Sequence, residues 1–404
     1  MNKSLLIIFL TIFIDFIGVG LVIPIFAPLF LSPTSTLFDA NTSYDVRSFI
    51  LGLALAVFPF FQFFGAPILG TLSDKFGRKK ILFFSILGTF IGYVLMVFGI
   101  TEKLLYLIIL SRVIDGFSGG NISVASSAVS DITEPKDRVK NFGILGALFG
   151  VCFIIGPYIG GKLSDPTINS NFNYSTPFLV AAILSFINLT LLSLFFKETL
   201  TKKIEKKVSL TSGIRNLKKA FTDPRFKVIF TVVFLITCGF SFFTQFFQAY
   251  LVAQFNFSEG QIGELFAYIG IWIALTQGLI LRYLPKSVTP KRAVFFGSIL
   301  LGVALIGLLL PTQAHQIYFV LPFVAISNGI LGPNSQAIIS NLADEDAQGE
   351  IFGINQSITS LGMALAPLIS GIIISFGLYL PIITAGLLII LAGIIFQTKF
   401  KVQL

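Results

Sequence analysis

Three charged side chains interrupt long apolar stretches of the chain. Asp15 lies in the first stretch, and Arg112 and Asp115 lie three residues apart in a later one. Charges are costly inside hydrocarbon, so they persist mainly where they face a cavity or a partner. A carboxyl group at such a position can bind a proton from one side and release it when a cationic group arrives. The alternative for Asp15 is a permanently protonated acid that makes a hydrogen bond between helices.

Arg112 and Asp115 share one helix face, because residues three apart are neighbours on a helix. In a functional interpretation Asp115 titrates, and Arg112 alternates between Asp115 and either a substrate or Asp15. In a structural interpretation the two residues form a static internal salt bridge. We predict that Asp15, Arg112 and Asp115 are the proton-coupling and substrate residues.

The composition indicates an integral membrane protein. Hydrophobic residues make up 55% of the 404 residues and charged residues only 12%, whereas a soluble domain has about 25% charged residues. The net charge of +9 does not indicate nucleic-acid binding, because the basic residues lie at the ends of apolar segments. With a single histidine, we expect no metal site, no cofactor and no enzymatic activity.

The hydropathy pattern predicts an all-α membrane protein with twelve transmembrane helices, since a spanning helix needs about 20 apolar residues. The longest polar interruption, 197–227, separates six spans from six. We therefore predict a six-helix bundle at 1–196, a linker loop at 197–225 and a second bundle at 226–404. The predicted spans are 4–30, 48–70, 80–100, 104–130, 139–163, 176–196, 226–254, 261–283, 291–310, 316–342, 350–375 and 378–397.

The basic residues predict the orientation. All but four of the 28 lysines and arginines lie at the termini or in the connections that follow even-numbered spans. Basic loops stay on the cytoplasmic side, so both termini and the central loop are expected there. Within that loop 210–221 could form an amphipathic segment, but we favour the alternative of a solvated run of charges.

Two segments of the chain repeat each other at a constant spacing. The matching sets are Phe142, Gly143, Pro157 and Gly161 in span five, and Phe352, Gly353, Pro367 and Gly371 in span eleven. The match predicts two pseudo-symmetric halves in parallel orientation. Repeats of this kind place a binding site near the bilayer midplane between the halves, which alternating access exposes to each side in turn.

Three local motifs make the chain similar to a known family. The loop that starts at Gly70 reads GTLSDKFGRKK, Arg112 is followed by Gly116, and span five carries a glycine-rich motif. Together they resemble the major facilitator superfamily, in particular the tetracycline-efflux-like subgroup of its drug–proton antiporters. That subgroup has an acidic residue in span nine, and 293–310 holds none. This departure argues against tetracycline as the substrate.

The resemblance implies roles for two sets of residues. In the family, an arginine that matches Arg78 pairs with an acid that matches Asp131, and the loop acts as a cytoplasmic gate that holds the outward-facing state. An ordinary basic loop is the alternative. The implied gate residues are Gly70, Asp74, Gly77, Arg78 and Asp131. The implied glycine motif, which marks antiporters and forms a flat face where the halves meet, is Gly146, Gly150, Gly156, Pro157, Gly160 and Gly161.

The second half offers uncharged polar residues among aromatic ones. A cavity with apolar walls and a few polar groups suits an amphiphilic small molecule. The candidate lining residues are Gln245, Gln248, Gln277, Asn328, Asn334, Gln336, Asn355 and Gln356.

The sequence therefore predicts a monomeric secondary transporter in an inner (cell) membrane that exports a small amphiphilic drug or metabolite in exchange for protons. Its partners are the small molecule, protons and lipid, without nucleic acid. One alternative is a proton symporter or uniporter that imports a nutrient such as a siderophore. A second, an intramembrane enzyme or receptor, is disfavoured by the single histidine and the lack of a large loop.

Overall fold

The structure is a computed structural model that describes residues 3–32, 35–39, 41–133, 138–200, 212–283, 289–343 and 348–400. Regular secondary structure in these ranges is helical throughout. This agrees with the predicted fold class, because a helix satisfies its own backbone hydrogen bonds inside a membrane.

The described residues of the first half of the chain form seven helices. They are α1 (Lys3–Leu31), α2 (Tyr44–Phe76), α3 (Arg78–Thr101), α4 (Leu105–Ser118), α5 (Asn121–Asp131), α6 (Arg138–Ser164) and α7 (Thr176–Phe195). α4 and α5 together form the fourth predicted span, and the turn between them lies at Gly119 and Gly120.

In the second half, the described ranges contain eight α-helices, with a π-helical turn at Thr276–Ile280 and a 3₁₀ turn at Ile374–Phe376. The helices are α8 (Ser212–Thr222), α9 (Lys227–Phe255), α10 (Glu259–Leu275), α11 (Leu281–Tyr283), α12 (Pro290–Gly307), α13 (Ala314–Leu342), α14 (Gln348–Ile373) and α15 (Leu380–Lys399). α8 coincides with the amphipathic segment considered at 210–221, where a solvated run of charges was favoured.

Eleven described helical segments, with α4 and α5 counted as one, are long and apolar enough to cross a membrane. α6, which corresponds to the fifth predicted span, is not among the eleven, so the total of twelve stays a prediction. α2 extends six residues beyond the predicted end of its span. Its last residues carry the polar sequence SDKF, which hydropathy assigns to a loop.

The chain divides into two compact units. The first comprises Met1–Thr42, Val57–Ser212 and Ser258–Glu264, and the second comprises Ser43–Ala56, Gly213–Phe257 and Leu265–Leu404. Each unit thus takes a short helical segment from the opposite half of the sequence. The predicted boundaries at 196 and 226 do not anticipate this exchange.

The same helix packings occur in both units. In the first unit, α1 packs against α6 and α7, and α3 packs against α4 and α7. In the second unit, α9 packs against α14 and α15, and α12 packs against α13 and α15. The pairs correspond one to one under the repeat that the sequence predicts.

The repeated Pro and Gly residues make equivalent close crossings inside each unit. A Cβ atom at Gly263 would lie 2.5 Å from the Pro157 carbonyl oxygen and 3.2 Å from Gly161 Cα. A Cβ atom at Gly52 would lie 2.4 Å from the Pro367 carbonyl oxygen and 3.1 Å from Gly371 Cα. Only glycine allows backbones to approach this closely, which explains why the glycines recur in both halves.

Candidate functional site

Asp15 lies on α1 inside the first unit and is 7% exposed. The side-chain amide of Asn121 donates a hydrogen bond to its Oδ2 atom at 2.7 Å. Asn121 is the first residue of α5, directly after the turn at Gly119 and Gly120. A Cβ atom at Gly120 would lie 2.4 Å from the Ala66 nitrogen. The turn therefore packs directly against α2 and directs Asn121 toward Asp15.

Sequence reasoning did not identify Asn121, because the search for amides was limited to the second half. The sequence feature that could have revealed Asn121 is an amide directly after two glycines within an apolar span. Asn121 is fully buried, and its Oδ1 atom has no hydrogen-bond partner among the described residues. The buried acid is thus held by a neutral group that keeps an unused acceptor.

Arg112 and Asp115 are both buried on α4. The Nη1 atom of Arg112 lies 3.6 Å from Oδ2 of Asp115, which is longer than a charge-assisted hydrogen bond of about 2.7–2.9 Å. The guanidinium also lies over the ring of Phe58, at 4.5 Å from its centroid, and near the ring of Phe26, at 5.6 Å. Cation–π contacts of this kind stabilise a buried cation by about 0.5–2 kcal/mol.

The Nε atom of Arg112 has no hydrogen-bond partner in the described part of the chain. The residue therefore retains donor capacity while two aromatic rings hold it in place. A side chain in this state can change its partner without leaving its position, as the functional interpretation of the pair requires.

The candidate lining residues of the second unit fall into different environments. Gln248 on α9 is fully buried, whereas Gln277, Gln336 and Gln356 are exposed and Gln245, Asn328, Asn334 and Asn355 are half-buried. Polar side chains avoid lipid, so the exposed amides are the best candidates for a water-filled surface. Gln277 lies in the π-helical turn, and such turns are frequent at functional sites.

The aromatic residues near these amides belong mainly to the core of the second unit. Phe243, Phe246 and Phe247 are buried, and the rings of Phe243 and Phe247 lie 4.8 Å apart. Tyr268 and Trp272 on α10 form an edge contact at 6.4 Å. The phenylalanines therefore stabilise α9 by packing.

The predicted gate residues form a hydrogen-bonded network in the first unit. Arg78 contacts Asp74 at 2.7 Å through Nη1 and Asp131 at 3.0 Å through Nε. Nη1 also donates to the hydroxyl of Ser73 at 2.5 Å. The predicted pairing of Arg78 with Asp131 is thus present, and one buried guanidinium joins the ends of α2, α3 and α5.

Glu198, which sequence reasoning missed, completes this network. Its carboxylate accepts hydrogen bonds from the backbone N–H groups of Arg78 at 2.9 Å and Lys79 at 3.1 Å. These donors lie at the start of α3, where Gly77 supplies no side-chain cap. An acidic side chain is favourable at a helix N-terminus, so Glu198 supplies the missing cap from the end of α7. The sequence feature that could have pointed to such a partner is the start of α3, which has no N-cap side chain of its own.

Gly70 has ordinary contacts with the Ser123 side chain, whereas Gly77 has a strict requirement for glycine. The φ angle of Gly77 is 104°, and a Cβ atom there would lie 2.5 Å from Oε2 of Glu198. Other residue types rarely adopt this backbone conformation. The glycine therefore makes room for the carboxylate that caps α3.

The glycine motif of α6 contacts two different helices. A Cβ atom at Gly156 would lie 2.9 Å from Gly20 Cα, and one at Gly160 would lie 2.8 Å from the Leu21 carbonyl oxygen, both on α1. Gly161 packs against the first turn of α10, and Gly150 has open space around it. The surroundings of Gly146 lie outside the described part of the structure. The motif was expected to form a flat face where the halves meet. Gly161 contacts α10 from the second half of the sequence, whereas Gly156 and Gly160 contact α1.

Asp165, just beyond α6, anchors the start of α10. It is 2% exposed, and its Oδ2 atom accepts a hydrogen bond from the Gly260 N–H at 3.2 Å. Burial alone would raise the pKa of Asp165, but hydrogen bonds from Thr167 and Gly260 outweigh it and leave the pKa below its usual value. Nearby, burial and the charge of Glu259 raise the pKa of Tyr174, whose hydroxyl donates to that carboxylate at 2.7 Å.

These features can be compared with known proteins. A model of the Major Facilitator Superfamily matches residues 8–355 and 290–403. The chain belongs to the major facilitator superfamily. It is therefore a membrane transporter that crosses the cell membrane several times and acts on a small molecule.

Two resistance proteins are similar to this superfamily member over nearly its whole length. The tetracycline resistance protein of class H from Pasteurella multocida is 31% identical over 380 residues, which cover 93% of this chain and 90% of the relative. The quinolone resistance protein NorA of Staphylococcus aureus is 29% identical over 414 residues, and both chains are fully covered.

A solved structure shows the same fold. The crystal structure of the human organic anion transporter MFSD10 (TETRAN) matches with a TM-score of 0.73 at 21% identity, and the match covers 98% of this chain and 99% of that chain. At this identity the likeness supports the fold alone.

Proposed function

We propose that this superfamily member exports a small amphiphilic drug or metabolite in exchange for protons, by alternating access. The observation that carries the proposal is the environment of Asp15, a buried acid that accepts a hydrogen bond from the neutral amide of Asn121. The resistance proteins among its relatives favour export over import.

In this proposal Asp15 binds a proton from the outer side and loses it on the inner side when the substrate arrives. A carboxyl group in a low-dielectric surrounding is stable when it is either protonated or paired with a cation. Asp15 therefore binds either a proton or a cationic group, but not both at once. This competition is the basis of exchange. Arg112 and Asp115 hold a second charge pair on the adjacent helix α4 and adjust to the state of Asp15.

The remaining parts of the proposal concern organisation. We infer twelve spans with both termini in the cytoplasm, and two repeated halves at 1–196 and 226–404 that are joined by the loop at 197–225. The transporter acts as a monomer. Arg78 with Asp74 and Asp131 forms the cytoplasmic gate, and the exposed amides of the second unit line the substrate path. α12 has no acidic residue, so tetracycline is not the expected substrate.

Reconstituted vesicles test this function. With an acidic interior, wild-type protein should accumulate ethidium, a fluorescent lipophilic cation, or a quinolone. We expect Asp15→Asn to reduce accumulation at least tenfold while the protein remains folded, because the neutral amide cannot exchange a proton. Asp45→Asn is the matched control, because Asp45 is exposed at the start of α2.

The alternative function makes the opposite prediction in the same assay. A proton symporter accumulates substrate when the exterior is acidic, and a uniporter responds to neither gradient. Proton-coupled export would be contradicted if vesicles with an acidic interior accumulated neither probe. Full activity of Asp15→Asn would contradict it as well.

A further inference from the structure

Tyr93 on α3 lies against α1 one turn beyond Asp15. The residue is 3% exposed, and a Cβ atom at Gly18 would lie 1.5 Å from its hydroxyl oxygen. The hydroxyl therefore occupies the space that a side chain at position 18 would fill. Gly18 and Asp15 are three residues apart, and Cβ positions at that spacing lie about 5–6 Å from each other. The Tyr93 hydroxyl is thus about that far from the Cβ atom of Asp15.

The neighbouring residue on α3 contacts the second acid. A Cβ atom at Gly92 would lie 3.0 Å from the Asp115 Cβ atom and 3.3 Å from the carbonyl oxygen of Ser111. Consecutive residues of α3 therefore contact α1 near Asp15 and α4 at Asp115. The phenol lies within charge-interaction range of both acids and of Arg112.

The Tyr93 hydroxyl makes no hydrogen bond within the described part of the chain. The hydroxyl can therefore donate a hydrogen bond to a nearby acceptor. The charged groups that could accept this hydrogen bond are the two carboxylates, because Arg112 offers only donors. The Oδ1 atom of Asn121 is a neutral acceptor in the same region. α7 also packs against α3, but its sequence contains no titratable or charged residue.

We propose that Tyr93 is a positioning residue that links Asp15 and Asp115 into one proton-coupling unit. Its hydroxyl donates a hydrogen bond to whichever of the two carboxylates is ionised at that stage of transport. The phenol keeps its own proton throughout, so only the acids bind and release protons. This inference rests on the proposed proton-coupled function.

Tyr93→Phe tests the inference with little change in shape. Uptake of ethidium or a quinolone is measured across external pH values with a constant gradient, and exchange of the same probe is measured without a gradient. We expect exchange and KM to stay within about twofold. The midpoint of the pH profile of gradient-driven uptake should rise by about one pH unit, because the ionised acid loses a hydrogen bond worth about 1.5 kcal/mol. Tyr106→Phe is the control, because Tyr106 is 66% exposed.

Gly18→Ala supplies an independent variant in which the phenol is retained. The added Cβ atom must displace the hydroxyl, so the same upward shift of the pH profile is expected. An unchanged profile in Tyr93→Phe would overturn the inference, as would a uniform loss of rate at all pH values in both variants. If the proposed function itself is wrong, the wild-type protein will show no response to the gradient, so the two failures are distinguishable.

Discussion

The cap that Glu198 places on α3 allows a quantitative prediction. Its carboxylate accepts hydrogen bonds from four backbone N–H groups: those of Arg78 and Lys79 on α3, and those of Thr199 and Leu200 beside it. Loss of a helix cap costs about 0.5–2 kcal/mol, and loss of a favourable charge at a helix end costs about 0.3–1 kcal/mol. Because Glu198 is exposed, water replaces part of what is lost. We expect Glu198→Ala to reduce the free energy of unfolding by about 1–2 kcal/mol.

Gly77 should be coupled to Glu198 in a double-mutant cycle. Gly77→Ala forces an unfavourable backbone conformation that costs about 1–3 kcal/mol. The new Cβ atom also displaces the carboxylate, since it would lie 2.5 Å from Oε2. Once the carboxylate is displaced, removing it should cost little more. We therefore expect a coupling free energy of about 1 kcal/mol or more between the two substitutions.

Unfolding of the purified protein in mixed detergent micelles, followed by loss of helical circular dichroism, measures these free energies. Glu102→Ala at the opposite end of α3 is the matched control for Glu198→Ala. Glu102 is exposed and follows the last turn of the helix, so its neutralisation should change stability by less than about 0.5 kcal/mol. Additivity of Gly77→Ala and Glu198→Ala within about 0.5 kcal/mol would refute the capping argument.

Two further predictions concern the ends of the helices. Arg78→Lys should lower the maximal transport rate on the order of tenfold and leave KM within about twofold. The reason is that an ammonium group cannot bind Asp74 and Asp131 together in the fork geometry of a guanidinium. An unchanged rate in the vesicle assay would contradict the gate. Asp165→Asn should destabilise the protein by about 0.5–1.5 kcal/mol at neutral pH, because the carboxylate at the start of α10 loses its charge. The lowered pKa of Asp165 means that its contribution is present above its unfolded pKa of about 3.9 and is lost as the pH falls through the native value. The difference between wild type and variant in a pH series of unfolding should therefore vanish in acid, and a difference that persists there would contradict this origin.

Local sequence was sufficient to predict the repeat and eleven of the twelve proposed spans, whereas the pairing of Arg78 with Asp131 was implied by the resemblance to a known family. A spanning helix must be apolar over its whole length, so hydropathy reveals where each one lies. The repeated Pro157 and Gly161 were visible because close backbone crossings leave room only for glycine. Asp15 was visible because a charge within such a span is rare.

The partners of these residues depended on the tertiary structure. Asn121, Glu198 and Tyr93 are ordinary residues in the sequence, and each acquires its place only when another helix supplies the group that it faces. Most close contacts of the α6 glycines are likewise made with α1, because a glycine tolerates close approach from any direction and does not specify its neighbour. Hydropathy and spacing determine which helices form and how deep a charge lies, whereas three-dimensional packing decides which donor reaches which acid.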